Sequence, residues 1–188
     1  MKRVGVTLLV VACLSLGWAQ GFETCESIAA QAARAYRAIP HAYTPFAAEQ
    51  SGLAEPAMTH LKEYFLILDA AVVARVDAEK GLARGQSAAL TQYENRLAEI
   101  ELRLKALGQK ASLGGAVQES LLALADQHAF LKEWAQQAGP RDYRSHPKVS
   151  SASGHLQQAY AKLQKAFPKG SAAFQKSNFD SHCALDFI

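Results

Sequence analysis

His128 falls in line with Val117, Leu121, Leu124, Leu131 and Ala135, at steps of four, three, four, three and four, so an imidazole lies on the apolar seam of a helix. Inside a helical bundle a neutral imidazole suits a metal ion or haem iron, and Met58 offers a thioether as a second axial ligand. The plainer reading is a core histidine held by a hydrogen bond. No further pattern supports the ligand reading: there is no Cys-x-x-Cys-His for covalent haem, no His-Glu-x-x-His, and no Glu-x-x-His of the kind used by di-iron bundles. The expectation is therefore no cofactor, with haem or metal at His128 and Met58 as the alternative.

Cysteine offers a different chemistry. Cys25 and Cys183 stand near opposite ends of the chain, and in an oxidising compartment such a pair reads as one bridge joining the termini. Closing so long a loop removes about 5 kcal/mol of unfolded-chain entropy on the loop model. His182 beside Cys183 could suggest an activated thiol, but sequence neighbours are not the spatial pair that nucleophilic chemistry needs. The bridge is the expectation.

The opening run MKRVGVTLLVVACLSLGWAQ supports that compartment. Lys2 and Arg3 are followed by an apolar stretch from Val4 to Leu16 and then by Gly17-Trp18-Ala19, the three parts of a secretory signal cleaved after Ala19. The apolar stretch is shorter than the ~20 residues a spanning helix requires, so the mature chain is expected to carry no integral membrane span. Lipidation at Cys13, after Val10-Val11-Ala12, is the competing reading, but the run stays apolar through Trp18. A periplasmic or secreted protein is expected, with a signal over 1–19 and a single helical-bundle domain over 20–188.

Without Lys2 and Arg3 the 20 basic residues of the chain become 18, against 17 acidic ones. That near-neutral balance argues against a nucleic-acid partner, which calls for a concentrated excess of Lys and Arg. A partner among envelope proteins or other macromolecules fits better. For recognition, the best placed surface residues are Arg141, Tyr143, Arg144, His146 and Lys148, in the polar segment PRDYRSHPKVSSASG. The chain has neither a Gly-x-Ser-x-Gly elbow nor a phosphate-binding glycine loop, so a non-catalytic binding, adaptor or structural role is expected.

The elements that must position these groups are helical nearly throughout. Cys25, Ile28, Ala32, Ala35 and Ile39 mark a helix over 24–39, ended by Pro40. Pro56 suits the first turn of a second helix reaching about Lys80, whose stripe of Met58, Leu61, Phe65, Leu68, Val72 and Val76 is so widened by its neighbours that it should be the most buried. Leu90, Tyr93, Leu97, Ile100, Leu104 and Leu107 predict a third helix over 87–107, with Glu101 and Lys105 as an i,i+4 pair on its wet face. A fourth follows over 116–138, stopped by Gly139-Pro140, and a fifth over 153–167 carries Leu156, Tyr160, Leu163 and Phe167. A short helix over 171–177 would lead to Cys183. Strand-type alternation is absent, and the predicted class is all-α: four to five long antiparallel helices plus a short C-terminal helix, the termini joined by a disulfide.

Overall fold

In the computed structural model, residues 52–110, 112–137 and 146–170 are described. The expected leader, the helix over 24–39, Cys25, Cys183, the short helix over 171–177 and the residues Arg141, Tyr143 and Arg144 lie outside them. Among the described residues the structure is all-helical, with four α-helices and no strand. We number them α1 (Ala57–Ala83), α2 (Ala88–Gly108), α3 (Gly114–Ala135) and α4 (Pro147–Ala166), followed by a 3₁₀ turn at Pro168–Gly170. None of these helices is long and apolar enough to cross a membrane.

α1 is buried on every side along its middle, where Ile67, Leu68, Ala71, Val72, Val73, Ala74 and Val76 all lose their solvent contact. This follows from a run too apolar to leave a wet face. Its end is set by Gly85, whose positive φ of 71° suits a residue without a Cβ. The Gly85 N–H donates to the Leu82 carbonyl at 2.9 Å and the Gln86 N–H to the Gly81 carbonyl at 3.0 Å, which satisfies two carbonyls the helix leaves over. The reversal presses α2 so close that a Cβ on Gly81 would come within 2.4 Å of the Ala89 methyl.

α2 and α4 each bury one stripe, as their periods require. On α2 the stripe is Tyr93, Leu97, Ile100, Leu104 and Leu107; on α4 it is Val149, Ala152, Leu156, Ala159 and Leu163. The α3 stripe is displaced from the expected one. Val117, Leu124 and Leu131 are buried, but Leu121 and His128 are half-buried and Ala135 is exposed, while Ala116, Ser120, Ala123, Gln127, Phe130 and Trp134 fill the core. α3 must serve neighbours on two sides, and the seam read from leucine spacing marks only one edge of the buried face. One apolar cluster draws on all four helices.

The start of α4 also differs from the reading. The polar segment reads as a loop through Gly154, yet the helix begins at Pro147, with His146 as its cap. His146 is extended, its Nδ1 accepts the Lys148 N–H at 3.2 Å, and Pro147 occupies a first-turn position that needs no donor. Val149 and Ala152 extend the apolar stripe of Leu156 backwards across that polar stretch.

Candidate functional site

The richest polar constellation lies on the seam between α3 and α4, where Glu119 projects from a position buried against α4. One carboxylate oxygen accepts the His155 Nδ1–H at 2.7 Å, and the other accepts Lys162 Nζ. Lys162 reaches it by running across Gly115, where a Cβ would stand 3.2 Å from the lysine Cδ. A glycine one turn before the carboxylate thus opens the path for the ammonium.

These contacts hold the Glu119 carboxyl below the ordinary carboxylate range, through the Lys162 hydrogen bond first and the His155 bond second, against the opposing effect of burial. With Nδ1 engaged by the carboxylate, Nε2 is the ring nitrogen left for another partner. A carboxylate-oriented imidazole is half of a nucleophile-activating arrangement. The other half is missing: among the described residues no hydroxyl or thiol is hydrogen-bonded to His155. Ser120, next to Glu119, turns inward instead. Its hydroxyl donates to the Ala116 carbonyl at 3.1 Å and lies 2.6 Å from the Tyr64 hydroxyl, which is therefore the donor of that second bond. Burial pushes the Tyr64 phenol up to about 12.

Elsewhere on the same seam, Lys148 Nζ meets Asp126 at 3.2 Å, and His146 Nε2 meets Glu133 at 3.1 Å while its ring packs edge-on against Phe130 at 4.9 Å. These are the two described members of the expected recognition set, and the structure sets both in intramolecular pairs. As the α3 partner falls from Asp126 to Glu119, the α4 partner rises from Lys148 to His155 and Lys162.

His128 stands at the border of α2 and α3, half-buried, with Nε2 2.9 Å from Glu94 and its ring 5.9 Å from that of Tyr93. Met58 is in the first turn of α1, packed partly into the apolar cluster. No hydrogen bond or ring contact brings the two together. Of the carboxylates on α1, Asp77 bonds Arg96 of α2 at 2.9 Å, and Asp69 is buried. Among the described residues, no three His, Cys, Asp or Glu side chains converge in a metal-holding group.

Sequence spacing also left unmarked a buried ion pair on α1, Arg75 with Glu79 at 2.6 Å. Burial pushes the Glu79 carboxyl up to about 7, against the attraction of Arg75. Both residues lie in the electrostatic field of the Tyr93 phenol, which burial also holds well above its usual range.

The chain matches no family model, and comparison with curated proteins and with solved structures finds no match.

Proposed function

We propose that this chain is an exported cell-envelope protein with a non-catalytic binding, adaptor or structural role, built as an antiparallel bundle of four to five long helices. In this reading the leader is removed after Ala19, Cys25 and Cys183 join the termini, and the partner is another envelope protein or macromolecule. One observation carries the non-catalytic reading: Glu119, the carboxylate with the most side-chain partners among the described residues, engages both oxygens with α4 and presents no substrate-facing group. The crossing partners of α3 and α4 support the antiparallel arrangement.

In that bundle α1 and α3 run parallel, level with each other at Tyr64 and Ser120. Met58 precedes Tyr64 by six residues and His128 follows Ser120 by eight, which at ~1.5 Å per residue puts them about 20 Å apart along the axis. A shared haem is too small for that gap.

Purification of the protein from its native envelope after chemical cross-linking tests the reading. The expected result is a chain beginning at Gln20 with no alkylatable thiol, colourless, and recovered with one partner in fixed stoichiometry. A Soret band, stoichiometric metal, or a partnerless chain at native concentration would overturn it.

A further inference from the structure

The turn that ends α1 and the last turn of α3 meet at one end of the helices and border a half-open cleft of about 260 Å³. Leu82, Gln86, Ser87, Trp134, Gln136 and Gln137 line it, and the rest of the lining is small and uncharged. Gln86 and Ser87 are placed there because α1 ends at Ala83 and the chain turns at Gly85, and Gln136 and Gln137 because α3 ends at Ala135. All four are exposed, whereas Trp134 is almost wholly buried.

The indole is held from behind. Phe130 packs against it at 5.9 Å between ring centres, and His146, the cap of α4, packs in turn on Phe130. An aromatic wall fixed in advance loses little freedom when a ligand arrives.

We propose that this pocket binds a neutral polyhydroxylated ligand, one sugar ring in size. Three glutamine amides and a serine hydroxyl each offer donor and acceptor together, which is the hydrogen-bonding character of a sugar hydroxyl. Leu82 and the exposed edge of Trp134 supply the apolar contact for the C–H face of the ring. Among the described residues no carboxylate, ammonium or guanidinium lines the pocket, so they offer a charged ligand no counter-charge. The volume falls below the ~300–1,000 Å³ of drug-sized pockets, which restricts the ligand to a single ring. This assignment adds a ligand chemistry at a place separate from the α3–α4 seam, and its test does not depend on export or on a protein partner.

Glucose, N-acetylglucosamine and choline would each be titrated into the full chain carrying Trp18→Phe, so that Trp134 is the remaining tryptophan, with emission as the readout. The expected result is a saturable shift with at least one sugar, at a dissociation constant of about a millimolar, the weak range of a single-ring ligand. The Gln86→Ala, Gln136→Ala double variant, changed only at exposed positions, should lose tenfold or more in affinity while its helical circular dichroism stays unchanged. No saturable shift with either sugar, a stronger response to choline, or sugar binding intact in the double variant would overturn the proposal.

Discussion

Glu119 and His155 lie on successive helices and are joined by a 2.7 Å hydrogen bond from the imidazole Nδ1 to the carboxylate, while Lys162 closes on the other oxygen. Replacing the carboxylate tests what the junction contributes. Glu119→Gln should cost about 1.5 kcal/mol in denaturant unfolding, the low end for hydrogen bonds to a charged group, because Lys162 is 43% exposed and its share is screened.

The same residue gives a signed pH dependence. Its folded-state carboxyl is held below the ordinary 4.5, so its contribution is present above that value and is lost as the pH falls through the depressed one. Thermal stability of the wild type should therefore fall more steeply below pH 4.5 than that of Glu119→Gln. Parallel melting curves down to acid pH make the comparison.

Glu79 has the opposite sign. Raised to about 7, its carboxyl binds a proton more readily folded than unfolded, so its contribution is complete below 4.5 and is lost as the pH rises through 7. Glu79→Gln should gain stability over the wild type between pH 5 and pH 8. Arg75→Met should lose about 3–5 kcal/mol at pH 8, since it leaves a carboxylate buried without its cation. Denaturant titrations at the two pH values separate the outcomes.

Tyr64 and Ser120 predict an unequal pair of substitutions. Tyr64→Phe leaves the Ser120 hydroxyl still bonded to the Ala116 carbonyl and should cost about 1 kcal/mol. Ser120→Ala strands a buried phenolic O–H and should cost about 2 kcal/mol. Equal losses in the two unfolding curves would contradict the assigned direction of the bond.

Two glycines predict effects of opposite sign. Gly81→Ala forces its new methyl into Ala89 and should destabilise by about 2 kcal/mol, with part recovered by adding Ala89→Gly. Gly154→Ala, inside α4 with nothing within 4 Å of the added Cβ, should stabilise by about 0.5–1 kcal/mol. Melting temperatures of the three variants check both signs.

What the sequence made legible follows the reach of its signals. The limits of α1 and α2 are legible to within a few residues, because Pro56 and an unbroken leucine seam are local features of a helix. The start of α4 was hidden because Ser150, Ser151 and Ser153 make a polar surface that masks the stripe beginning at Val149. His128 proved half-buried, for a histidine at the edge of an apolar stripe and one at its centre share the same spacing. The partnership of Glu119 with two residues of α4 depends on the register between helices, which no single-helix pattern carries.

Glu119 acts as a clasp that fastens α4 to α3 rather than as a reactive group, and amide hydrogen exchange on the wild type and Glu119→Gln measures this most directly. Faster exchange confined to α4 and the facing turns of α3, with α1 and α2 protected as before, is the predicted result. Unchanged protection of α4 would contradict it.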